Sequence, residues 1–246
     1  MAVENIRRIL SYVRRAVDDY NMIEEGDKIA VGVSGGKDSL ALLAALAEMR
    51  TFYPKKYELY AVIVDMGFEG VDFSPIKVFC DEINVQLKIV ETNIYNVIFN
   101  VRKEKNPCSL CARMRRGTLH DGVLELGCNK LALGHHYDDV LETFMLNLFH
   151  EGRLGTFSPV TYLDRKDLTM IRPLIYAPEK DIKYFVSKTP LPIIKSPCPA
   201  DGTTKREEMK IFLKKLDREH HRGLKHRIFK AICKSGIDGW RETDGQ

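Results

Sequence analysis

Residues 28–39 read Lys-Ile-Ala-Val-Gly-Val-Ser-Gly-Gly-Lys-Asp-Ser, and Leu-Ala-Leu-Leu-Ala-Ala-Leu-Ala-Glu-Met follows at 40–49. The first six residues form a short apolar run that suits a buried strand, and 40–49 has the length and composition of a helix. The turn between them, 34–39, holds two adjacent glycines that let the backbone bend tightly and approach a ligand. The helix that follows offers free N–H groups and the positive end of its dipole to an anion. Lys37 adds a full charge, and Ser34 and Ser39 add hydroxyl donors, so the turn suits a phosphate. Two common phosphate loops do not fit. A Walker A loop needs glycine at position 31 and Ser or Thr at 38, where the chain has Val31 and Asp38. A dinucleotide fingerprint needs glycine at 34, where the chain has Ser34.

Outward from this unit the pattern repeats. Ile6, Ile9, Leu10, Val13 and Val17 lie on one face of a helix over 3–20. Strands are expected at 59–64, 86–90, 130–133 and 170–174. Helices are expected at 74–83, 108–126, 138–149 and 178–187, and one or two basic amphipathic helices at 203–234. Alternating strands and helices mean βαβ units, hence a mostly parallel, doubly wound sheet, here of five strands. Three segments are expected: an N-terminal helix (1–24), an α/β domain (25–200) and a basic helical appendage (201–246). Ligands in such sheets bind beyond the C-terminal strand ends, which directs attention to 34–39, 65–70, 91–107 and 134–139.

The 246 residues are 44% apolar and 29% charged, enough for a sizeable core and unlike a disordered chain. The N-terminal stretch has no signal-peptide h-region and no apolar run approaches a membrane span, so a cytoplasmic protein is expected. The net charge of +4 is uneven: residues 100–117 carry +5, residues 202–246 carry +5, and the rest −6. Two basic segments suggest a polyanion partner, or two solvated helix faces.

Of the cysteines, Cys80 and Cys233 sit in apolar helical patterns and read as small core residues. Cys108 and Cys111 are spaced i, i+3 at the start of a helical stretch, with Arg113, Arg115 and Arg116 close by, a setting that favours thiolates. A structural zinc site wants four ligands, and no second close pair exists. A redox pair, or a cluster recruiting a distant third cysteine, remains open. That third cysteine is Cys198, in Ser196-Pro197-Cys198-Pro199.

The run SGGKDS after an apolar strand resembles the signature of the PP-loop ATP pyrophosphatase superfamily, whose fold is adenine nucleotide alpha hydrolase-like. Gly134-His135-His136-Tyr137-Asp138-Asp139 looks like its second motif. With CSLCARMRR at 108–116, the Arg172-Pro173-Leu174 segment and the Cys198-Pro199 loop, the chain is most similar to the TtcA family of tRNA 2-thiocytidine biosynthesis proteins, within a wider group that includes TtuA. That resemblance implies ATP and Mg²⁺ at Ser34, Gly35, Gly36, Lys37, Asp38 and Ser39. It also implies adenosine contacts at Asp65, nucleotide contacts at Gly134 and His135, and a [4Fe-4S] cluster on Cys108, Cys111 and Cys198. Three thiolates leave one iron open, where sulfur can be held. Asp38, Arg115, Asp138 and Asp139 carry the implied catalytic roles, although the two adjacent acids also suit a helix N-cap; Arg172 is expected to be structural. The implied reaction adenylates O2 of a tRNA base, cytidine 32, and replaces that oxygen by sulfur from a cysteine-derived persulfide or sulfide. Relatives are often homodimers.

The chain departs from some relatives: Asp201 stands where they have a second loop cysteine, and it has no terminal zinc-ribbon pair. Other readings are thiolation of a different base or small substrate, lysidine-type modification, and a non-catalytic cluster- or zinc-binding RNA-binding module.

Overall fold

The computed structural model describes residues 3–102, 107–195, 197–198 and 205–243. Six strands form the sheet: β1 (Asp27–Val33), β2 (Tyr57–Asp65), β3 (Gln86–Glu91), β4 (Lys130–Ala132), β5 (Val160–Leu163) and β6 (Leu168–Ile171), in the order β3-β2-β1-β4-β6-β5. All neighbours are parallel except the β5–β6 pair. The sheet therefore has six strands, not the expected five. The extra strand is a four-residue antiparallel edge that returns through a turn at Asp164–Lys166, closed by Asp167 in the left-handed region (φ 46°). So short a run lacks the alternation that marks a strand.

The helices are α1 (Val3–Asp19), α2 (Lys37–Met49), α3 (Ser74–Glu82), α4 (Pro107–Leu124), α5 (Tyr137–Leu146), α6 (Glu179–Lys188), α7 (Lys205–Lys215) and α8 (Leu224–Ser235). Helix α2 has no β-branched residue, and Ser39 through Ala47 are all buried. A helix apolar all round belongs inside a protein, and α2 is sandwiched between the sheet, α1 and α6. Helix α5 ends earlier than expected and continues as a π-turn, Asn147–Glu151, stopped by Gly152 at φ 61°. The C-terminal stretch is two helices separated by a second π-turn, Leu216–His220.

The large core joins α1 (Ile6, Ile9, Val13, Val17), α2, β1, β2 and α6 to residues from the C-terminal helices: Met209, Leu213, Phe229 and Ile232, with Trp240 beyond them. On the other face α4 packs Val123 over Val62, Leu131 and Met170. Cys80, Cys128 and Cys233 are buried in these cores. The strand order reverses between β1 and β4, so the loops after these two strands border one crevice. Among the described residues no helix is long and apolar enough to cross a membrane.

Candidate active site

The 34–39 turn is held by its own hydroxyls. Ser34 N donates to Ser39 Oγ (3.1 Å), and Ser39 Oγ donates to Gly36 O (3.0 Å). Gly35 has φ +80°, a conformation that L side chains rarely adopt. Its carbonyl accepts from Ile194 N at 2.9 Å, which ties the segment leading to Cys198 onto the turn. Lys37 Nζ lies 2.9 Å from Asp38 Oδ2 and 3.1 Å from Glu179 Oε1 at the start of α6. Burial disfavours the Lys37 charge, but Asp38 and Glu179 outweigh it and raise its pKa. Burial likewise works against the Glu179 carboxylate, yet Lys210, Lys37 and Lys183 hold its pKa down at about 2. The other oxygen of Asp38, Oδ1, is buried without a hydrogen-bond partner among the described residues.

The loop after β4 presses against this turn. A Cβ on Gly134 would lie 3.0 Å from Ser39 N and 3.1 Å from Asp38 C, so only glycine lets the two backbones meet. His135 is pushed down to about 4 by burial and by Arg172, so its ring is neutral at physiological pH. His136 caps α5: its Nδ1 accepts from Asp139 N, while Asp139 Oδ2 accepts from His136 N (2.9 Å). With Nδ1 accepting, the proton of a neutral His136 sits on Nε2, 3.8 Å from Asp38 Oδ1.

Asp138 and Asp139 turn toward the C-terminal helices. Asp138 Oδ1 accepts from Lys225 Nζ of α8 (2.7 Å) and its Oδ2 from Glu179 N (2.8 Å). Burial pushes the Asp138 pKa up, but these two donors bring it below the usual carboxylate range. Asp139 Oδ1 faces Arg206 Nη1 of α7 at 3.4 Å. Glu142, one turn further on, is raised to about 7 by burial and by Asp139. Of the three acids expected to be catalytic, Asp138 and Asp139 are thus engaged by protein donors, and Asp38 is the one with an open oxygen.

Cys108, Cys111 and Cys198 come together. They line one cavity of about 170 Å³ with Ser34, Asp65 and Arg115, backed by Phe68, Tyr95 and Phe99, whose rings touch in tilted pairs. Asp65 Oδ1 accepts from Gly67 N, which shapes the turn after β2. Among the described residues no three His, Cys, Asp or Glu side chains converge tightly enough for a single ion. All three thiols line the same cavity. The expectation that the helix start and arginines favour thiolates is corrected at Cys111. Burial raises that thiol; Arg115 works against the rise, and the neighbouring sulfurs of Cys198 and Cys108 add to it. A positively charged metal group would relieve that mutual repulsion. Of the loop carrying Cys198, residues 196 and 199–204, Asp201 included, lie outside the described residues.

Sequence reasoning missed Glu179, Lys210, Lys225 and Arg206. The first reads in sequence as an ordinary acid at a helix start, and the others as solvent-facing charges. Lys210, Arg206 and Lys225 meet Glu179, Asp139 and Asp138 from 31, 67 and 87 residues away.

The matching family model is a PP-loop domain, over residues 5–214. Two similar proteins are named tRNA-cytidine(32) 2-sulfurtransferase. The one from Pelobacter propionicus is 43% identical over 87% of this chain and 80% of its own length. The one from Geobacter sulfurreducens is 40% identical over 94% of this chain and 91% of its own. A similar solved structure is the U34-tRNA thiolase NcsA from Methanococcus maripaludis with its [4Fe-4S] cluster. It has a TM-score of 0.75 and 29% identity, over 91% of this chain and 77% of that one.

Proposed function

The chain belongs to the PP-loop domain family, and on that premise we propose that it is an ATP-dependent tRNA sulfurtransferase converting cytidine 32 to 2-thiocytidine. The observation that carries this reading is the cavity in which Ser34 of the phosphate turn meets Cys108, Cys111 and Cys198. A nucleotide-activating loop and three thiols opening onto one space suit a reaction that activates an oxygen and then replaces it by sulfur.

In this reading the N–H groups at the start of α2 and Lys37 take the pyrophosphate end of ATP. Asp38 offers its unpartnered Oδ1 to Mg²⁺, a hard cation that prefers oxygen ligands. Asp65 and the main chain of Gly134 and His135 border the nucleotide. The base O2 attacks the α-phosphorus, the bond to pyrophosphate breaks, and Arg115 steadies the charge of the adenylate. A sulfur nucleophile then adds to C2, and AMP leaves with the former base oxygen. Cys108, Cys111 and Cys198 would hold a [4Fe-4S] cluster, which supplies sulfur-transfer chemistry through the iron left without a protein ligand. Asp138 and Asp139 act by fixing the loop after β4, since both are engaged by protein donors. A persulfide or sulfide donor, a homodimer and a cytoplasmic setting complete the proposal on resemblance alone.

The test is anaerobic purification with iron and sulfide analysis, followed by incubation with ATP, sulfide and unmodified tRNA and mass analysis of the nucleosides. Iron, acid-labile sulfide and 2-thiocytidine are expected, all lost when the three cysteines are replaced by alanine. A triple variant that still forms 2-thiocytidine sinks the reading.

A further inference from the structure

A second cavity, of about 540 Å³, also borders the 34–39 turn and lies between α4, the ends of β1 and β4, and β6. Its wall is charged where the cysteine cavity is aromatic: Arg115, Arg116 and His120 come from α4, Arg172 follows β6, and His135 and Asp38 come from the two motif loops.

Unmet hydrogen-bonding capacity collects here. Arg172 Nε, His120 Nε2, His135 Nδ1 and Asp38 Oδ1 are buried without partners among the described residues, and all four residues line this cavity. Arg172 and His120 are more than nine-tenths buried. Arg172 is anchored by Nη1 to Thr161 Oγ1 (3.0 Å) and to Ser158 O, which fixes the guanidinium and keeps its Nε in place. Leaving a buried polar atom unpaired is costly, so several in one cavity mark a place built for a polar occupant.

The charge balance gives the occupant's sign. Burial and then Arg116 lower the Arg172 pKa to about 10. Burial and then Arg116 and Lys166 lower His120. Neither Arg116 nor Arg172 has a carboxylate within ion-pair distance among the described residues. Three guanidiniums, Arg115, Arg116 and Arg172, line the cavity against the one carboxylate of Asp38, and that excess of positive charge calls for an anion. The neutral His135 and His120 rings, by contrast, suit an uncharged polar edge.

We propose that this cavity receives the target nucleotide of the RNA, its phosphodiester against Arg116 and its base edge toward Arg172, His120 and His135. The proposal rests on the sulfurtransferase reading and adds where the substrate enters. Ser34, Val64 and Arg115 line both cavities. ATP, with its adenosine at Asp65, and the target nucleotide thus meet over Ser34 and Arg115. Single-stranded loops are where a protein can splay out a base in this way.

The test uses an anticodon stem-loop RNA with cytidine at 32, binding to the wild type and to Arg116→Gln at several KCl concentrations. Arg116 makes no hydrogen bond or ion pair among the described residues, so its replacement spares the fold. Losing one phosphate contact should weaken RNA binding about 3- to 10-fold and lower the log–log salt slope by about 0.7–0.9. Binding of a non-hydrolysable ATP analogue should not change, and Arg116→Lys should restore the slope. A methylphosphonate linkage at nucleotide 32 should abolish the difference between wild type and Arg116→Gln, while one placed in the stem should leave it. An Arg116→Gln protein with unaltered RNA affinity and slope, or one that loses the ATP analogue instead, overturns the proposal. A wild type that binds no RNA at all overturns the function reading and this site with it.

Discussion

Replacing Lys225 by methionine separates two roles for the C-terminal helices. If Lys225 grips RNA, the variant loses RNA affinity and keeps its stability. If it braces the site, the reverse holds. In the structure Lys225 Nζ sits 2.7 Å from Asp138 Oδ1, and Asp138 is 9% exposed. Methionine keeps the stem and removes the charge, leaving a buried carboxylate with one remaining donor, Glu179 N. Breaking a buried pair by removing one partner costs about 3–5 kcal/mol, and the partial exposure of Lys225 puts this case nearer 2–3. For a chain of this size that is a fall in Tm of roughly 5–10 °C. The pH dependence gives a sharper check. The folded Asp138 pKa is lowered, with burial outweighed by the Glu179 N–H and Lys225. The pair therefore contributes stability above the ordinary carboxylate pKa of about 4, and that contribution is lost as pH falls through the folded value. In Lys225→Met the carboxyl pKa rises, so the Tm deficit should be full at pH 7–8 and shrink toward pH 4. The assay is thermal unfolding by circular dichroism from pH 4 to 8. A deficit independent of pH, or a Tm within 1–2 °C of wild type at pH 7, refutes the bracing role.

Two other outcomes follow from the same geometry. Gly134→Ala forces a Cβ to within about 3 Å of the backbone of Asp38 and Ser39; pyrophosphate release should fall at least about 10-fold with an unchanged circular dichroism spectrum, and full activity would show that the loops separate freely. Glu142 is raised to about 7, first by burial and then by Asp139. Ionising it in the fold costs stability as pH rises from about 4.5 to 7, so Glu142→Gln should be neutral near pH 4.5 and gain about 1–2 kcal/mol above pH 7, read from urea unfolding at both pH values.

The β1–turn–α2 unit was legible because its signals are local: an apolar strand, two glycines and a helix apolar on every side. Cys108 and Cys111 were legible as a pair through helical spacing, and their meeting with Cys198 followed only from the family resemblance. The edge strand β5 was hidden by its length and by a turn resting on one left-handed aspartate. The basic helices α7 and α8 looked like solvated or RNA-facing surfaces, because amphipathic spacing does not say which charge lies opposite. Arg206, Lys210 and Lys225 instead meet Asp139, Glu179 and Asp138 across the fold. The same blindness hid the shift at Cys111: the helix start and the arginines are visible in sequence, whereas burial and the approach of Cys198 are tertiary.

The ion pairs made by α7 and α8 also set an order of assembly during translation. The sheet, the 34–39 turn and the loop after β4 emerge from the ribosome before Arg206, Lys210 and Lys225 do. Until those cations arrive, Asp138, Asp139 and Glu179 sit close together without these counter-charges. Glu179 has only Lys37 and Lys183 to meet until Lys210 joins them, so the C-terminal helices complete a charge balance that the rest of the fold leaves open.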